Sequence, residues 1–152
     1  MKRFLGVSLV CLLVVGVLWS RAEETITRPD ATSPEGLKVT RFQLKGELEL
    51  KGNFLVVFKL TNTTDHDITF HSQYGVFVGA RCNNQNKDFG HTHKGRTVSP
   101  GGYVNMKARG RFDRPGTWVI WPAYNINGRW GPFKWNAIVV NIPDQGNESR
   151  PD

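Results

Sequence analysis

The chain carries almost none of the short motifs that announce catalysis. It has no Gly-x-Ser-x-Gly elbow and no glycine loop that would cradle a phosphate. Asp88-Phe89-Gly90 matches one kinase tripeptide, but 152 residues are too few for a kinase and nothing else of one is present, so the match is chance. Cysteine is scarce. Of the two, Cys11 lies in an apolar leader and Cys82 stands alone, which excludes an internal disulfide framework. No nucleophile signature surrounds Cys82, and a lone thiol of this kind is ordinarily a small strand-end hydrophobe. The chain has no apolar run of the ~20 residues that a spanning helix needs. A run of one charge sign is also missing. The formal charge is +7, but Lys2, Arg3 and Arg21 lie in the leader, and beyond Ala22 there are 17 basic and 13 acidic residues. Such an excess favours loose association with an anionic wall polymer, lipid head groups or nucleic acid, and without a reader motif nucleic acid is not an expected partner.

The organisation is simple. Met1-Lys2-Arg3 followed by the apolar stretch Phe4–Trp19 reads as a signal peptide or N-terminal membrane anchor over 1–22, a hydrophobic helix ahead of the domain. Ser20 and Ala22 put small residues before a cleavage point at Glu23, while Trp19 with Arg21 also suits an interfacial anchor. Either way the expected location is extracytoplasmic: secreted, periplasmic, or anchored to the outer face of the cytoplasmic membrane. Residues 23–36, with Pro29 and Pro34, read as a linker, and 144–152 as a disordered tail.

Between them, over 37–143, the apolar period is two and no segment is helical. Val39, Phe42 and Leu44 begin it, and Leu48 and Leu50 precede a turn at Lys51-Gly52-Asn53. Phe54, Val56, Phe58 and Leu60 fall on one strand face, followed by the turn-rich Thr61–Asp65, then Ile68 and Phe70. Gly75–Arg81 is a short apolar strand, and Cys82–Gly95 reads as a polar loop. Ser99–Gly102 turns into Tyr103, Val104 and Met106, and Phe112 closes that strand. Seven or eight strands at this spacing predict an all-β antiparallel sandwich.

Asp113–Ile142 closes the domain and holds four of the five tryptophans. Trp118 and Ile120 share one strand face, Val119 and Trp121 the other; Ile138, Val140 and Ile142 face away from Trp135, Ala137 and Val139. Both faces of this hairpin are apolar, and only one can be core. Thr61-Asn62-Thr63 after a strand, Pro100-Gly101-Gly102 before another, and Asp113-x-Pro-Gly-Thr-Trp118 together resemble bacterial immunoglobulin-like modules of the cell-adhesion-related type. The resemblance spans roughly 38–142 and implies an immunoglobulin-like sandwich that acts as a spacer, adhesion module or polymer-binding appendage, and not as an enzyme. It also implies that Trp118 sits at a sandwich corner where a tyrosine is usual.

Two site readings follow. An open aromatic patch of Trp121, Tyr124, Trp130 and Trp135, rimmed by Arg129 and Lys134, would suit a cell-wall or surface glycan or a protein partner. The competing arrangement folds Trp130, Phe133 and Trp135 back as a lid over Trp121 and Tyr124, leaving a structural spacer without a ligand. Separately, His91-Thr92-His93 has metal-ligand spacing, and Cys82, Asp88, His71 or Met106 would complete a zinc or copper set; otherwise no cofactor is expected. The sequons at Asn62 and Asn147 matter only in a eukaryotic secretory host.

Overall fold

The computed structural model describes residues 24–26, 31–132 and 136–145. The leader expected over 1–22 and the tail beyond 145 lie outside these residues. No helix among the described residues is long and apolar enough to cross a membrane.

Among the described residues eleven strands occur in order: β1 (Glu24–Ile26), β2 (Leu37–Gly46), β3 (Asn53–Asn62), β4 (Ile68–Thr69), β5 (Val76–Cys82), β6 (Gln85–Thr92), β7 (Thr97–Val98), β8 (Tyr103–Arg111), β9 (Gly116–Ile126), β10 (Arg129–Pro132) and β11 (Ile138–Ile142). Seven have five or more residues, and β1, β4, β7 and β10 are shorter pieces, which is why the count exceeds the seven or eight expected. They form a larger sheet ordered β1-β11-β9-β5-β6, with β10 also on β9, a three-stranded sheet β2-β3-β8, and the small pair β4-β7. Every pairing between strands is antiparallel.

The two larger sheets enclose one core, as period-two sequences dictate. Phe54, Val56, Phe58 and Leu60 of β3 and Val104, Met106 and Ala108 of β8 face Val78, Ala80, Trp118, Ile120, Ile138 and Val140 of the opposite sheet; all are buried. The apolar ambiguity of the last hairpin is resolved here. Trp118, Ile120 and Ile138 are core, whereas Val119, Trp121 and Val139 lie half-buried on the outer face. Trp118 is buried where the chain enters β9. Its ring meets Phe112 edge-on at 5.4 Å, and its indole Nε1–H donates to the carbonyl of Arg114 at 3.1 Å.

Two segments depart from the sequence reading. Cys82–Gly95, expected as a polar loop, is mostly the edge strand β6. Asn83 and Asn84, at φ 48° and 62°, make a tight turn that returns the chain along β5. The expected linker 23–36 is in part built into the fold: β1 pairs with β11, and Ala31–Gly36 packs beside β2, with Ala31 and Ser33 buried and the Val39 amide donating to Ala31.

Candidate functional site

The outer face of the larger sheet carries an exposed aromatic cluster. On β5, Val76, Val78, Ala80 and Cys82 point into the core, which sends Phe77, Gly79 and Arg81 outward. Phe77 pairs with Ala123 and Gly79 with Trp121. The Trp121 indole lies across Gly79, where a Cβ would come within 2.4 Å of its Nε1, so only glycine leaves room for it. On β10, Trp130 pairs with Asn125 and so shares this outer face. The hairpin that presents it turns at Asn127 and Gly128, both at positive φ (50° and 79°), and the Asn125 side-chain oxygen accepts from the Gly128 amide at 3.0 Å.

Four further rings gather round Trp130. Tyr74, from the turn before β5, lies 4.5 Å from it between ring centroids, and Phe77 meets it edge-on at 5.5 Å. His91 stacks on Phe77 at 4.6 Å and donates its Nδ1–H to the Tyr74 carbonyl at 3.0 Å. His71 stacks on the far side of the set, 5.2 Å from Tyr74. His91 reaches Phe77 because β6 is bulged: Val76 pairs with Thr92 and Val78 with Phe89, leaving Gly90 and His91 opposite Phe77. Gly90 (φ 63°) faces inward, where a Cβ would lie 2.7 Å from Ala108. Phe77 is buried at the base of the cluster while Trp130 is 52% exposed.

The expected site residues divide. Trp121 and Trp130 share the outer face. Tyr124 does not: two residues along from Pro122 and four from Ile120, it has core parity, is 1% exposed, and its hydroxyl donates to the Glu35 carboxylate. Its ring runs across Gly131, where a Cβ would fall 1.9 Å from its Cζ. Burial, then the Glu35 contact, push its pKa well above the ordinary tyrosine range. Tyr124 is therefore a core residue and not a stacking surface. Arg129, one position before Trp130, points the other way and lines a separate cleft of about 730 Å³ with Glu35, His66 and Asp67. Lys134 and Trp135 lie outside the described residues, as does the proposed Phe133 lid.

The two histidines of the expected metal set have other partners. His93 (φ 53°) leaves the strand, donates through Nε2 to the Asn105 carbonyl at 2.7 Å and offers Nδ1 to Arg96 at 3.4 Å, so both its nitrogens are engaged. His91 belongs to the aromatic cluster. Cys82 is buried with its thiol toward the Pro115 carbonyl, and burial raises its pKa, which disfavours the thiolate a metal requires. Among the described residues no three His, Cys, Asp or Glu side chains come together to hold an ion.

No protein-family model matches the chain, and no curated protein matches it in sequence. Solved structures do. The C-terminal domain of Wzt aligns with a TM-score of 0.54 at 12% identity, over 77% of this chain and 80% of that domain. The likeness is one of fold. The Pseudomonas fluorescens alkylpurine DNA glycosylase AlkC, bound to DNA containing an abasic-site analogue, gives 0.49 at 14% identity over 67% of this chain. This chain spans 30% of the glycosylase's length. A structural-genomics target gives 0.46 at 10% identity, covering 74% and 85%. Those two likenesses bear no weight for function.

Proposed function

We propose that the protein is a non-catalytic, extracytoplasmic immunoglobulin-like module that binds a neutral surface glycan on the aromatic cluster centred at Trp130. The observation that carries this reading is the 52% exposure of Trp130 above four packed rings. Large aromatic side chains are normally spent on the core, and an exposed cluster with apolar faces and polar edges suits the face of a sugar ring. Tyr74, His71 and His91 supply that rim, and their carbonyl and amide contacts hold the rings in place without closing over Trp130. The immunoglobulin-like assignment is supported by the antiparallel sandwich and by the Trp118 corner bond, which replaces a tyrosine hydroxyl with an indole N–H. The location is supported by the basic and apolar character of residues 1–22.

The test is tryptophan emission with a neutral quencher, with and without neutral glycans such as N-acetylglucosamine oligomers. Wild type is expected to show a quenchable component that glycan protects, and Trp130→Ala to lose it. Because the indole is half exposed, the same variant should cost less than the ~3–5 kcal/mol of a buried tryptophan. A destabilisation of that full size, with no glycan response in wild type, would make the cluster a structural element and the protein a spacer.

A further inference from the structure

The mild overall charge conceals a strongly one-sided surface. The outer face of the three-stranded sheet carries Lys38, Arg41 and Lys45 on β2, Lys59 on β3, and Lys107, Arg109 and Arg111 on β8. No Asp or Glu stands on any of these strands; Glu47 and Glu49 lie in the turn at one end. The three ion pairs among the described residues involve Asp65 and Asp113 and none of these cations. Setting the seven aside leaves ten basic against 13 acidic residues beyond Ala22, so the whole positive excess sits on this face.

Its geometry is that of a furrow. Register places Lys45, Leu55 and Arg109 in one row across the sheet, and Gln43, Val57 and Lys107 in the next. The outer strands therefore form two cationic rails about 10 Å apart, two strand spacings, over a half-buried apolar floor of Leu55 and Val57. Two shallow concavities follow this line, one of about 560 Å³ between Lys45 and Arg109 and one of about 350 Å³ between Arg41 and Lys107. A bulge sharpens it. Arg41 sits at φ 55° between Thr40 and Gln43, where the register slips, so Phe42 stays in the core against Phe58 while Arg41 is added to the outer rail.

We propose that this face is a second binding surface, taking a linear anionic glycan laid along the strands between the rails. Charge complementarity and the one-chain width of the furrow favour it. A single-stranded nucleic acid needs aromatic platforms for its bases. The face has one aromatic, Tyr103, at its end, with the Lys59 ammonium 3.9 Å from its ring centroid. A bilayer surface is served by apolar tips that insert, and here the apolar residues are the recessed floor.

The full chain is titrated with polygalacturonate, a linear carboxylated glycan, with a thymidine homopolymer and phosphatidylglycerol vesicles as separate arms. Binding to polygalacturonate is expected to fall with added salt and to weaken about tenfold or more in Lys45→Glu/Arg109→Glu and measurably in Lys107→Glu. Arg81→Glu/Lys94→Glu makes the same net change away from the face and should stay within about twofold of wild type. Trp130→Ala should leave this binding intact, which separates it from the neutral-glycan site. Equal losses in the two double variants, tighter binding of the homopolymer or the vesicles, or no binding by wild type would each overturn the proposal. All these positions but Lys59 and Lys38 are exposed, so the variants are expected to fold, and the emission of buried Trp118 checks that they do.

Discussion

Asn62 is completely buried, yet every polar atom of its side chain is used. Its Nδ2 donates to the carbonyls of His66 at 2.8 Å and Val98 at 2.9 Å, and its Oδ1 accepts from the amide and the hydroxyl of Thr64. One amide thus pins the end of β3, the turn before β4 and the end of β7. Asn62→Ala would leave those backbone groups unpaired away from water, and the expected cost is about 2–4 kcal/mol in denaturant unfolding. Asn62→Asp keeps the acceptor, loses both donations and buries a charge, so it should be no better than alanine at neutral pH. The sequon reading of this residue never competes, because an amide held in this way is not available for modification.

The hairpin of β9 and β10 is the element on which the aromatic site depends. Asn127 and Gly128 both occupy left-handed backbone, which alanine adopts at a cost of roughly 1–2 kcal/mol per residue. Asn127→Ala/Gly128→Ala should lower the unfolding midpoint by a corresponding amount and blunt the glycan-protected emission, since β10 carries Trp130. A conserved emission response in that variant would show that Trp130 is held by its ring contacts alone. Most strands were legible from alternation: the buried residues of β3, β8 and β11, and of β9 as far as Pro122, fall on the positions that period two assigns. β6 was not, because an edge strand faces water along most of its length and buries little besides Phe89; the signal was the Asn83-Asn84 turn instead. Half of the site was equally hidden. Trp121, Tyr124 and Trp130 were candidates for an open face, but none of them could be told from a core residue until Trp118 fixed the parity of β9. Tyr74, Phe77 and His91 come from three segments that only the sheet order and the β6 bulge bring together. Phe77 did leave a trace, as the bulky residue on the face of β5 opposite Val76 and Val78.

At the scale of the whole molecule, Tyr124 ties the segment before β2 to the larger sheet through Glu35. Its raised pKa favours the protonated phenol in the fold. By linkage its contribution to stability is whole below the ordinary tyrosine pKa of 10.0 and is lost as pH rises beyond it. In an alkaline absorbance titration Tyr124 should ionise only together with unfolding. Tyr124→Phe should remove that coupling, and a Tyr124 ionisation that precedes the unfolding transition in wild type would contradict it. The bulge in β2 has a further consequence, for how copies of the protein behave toward one another. β2 is the end strand of its sheet, and an end strand offers unpaired amides and carbonyls on which a second copy could zip. Ala31 and Thr32 cover its first part through the Thr32–Lys38 bridge, and just beyond that cover the left-handed Arg41 kinks the strand and sets a charge beside the open edge. The same distortion that adds Arg41 to the furrow therefore denies a flat template to a neighbouring copy.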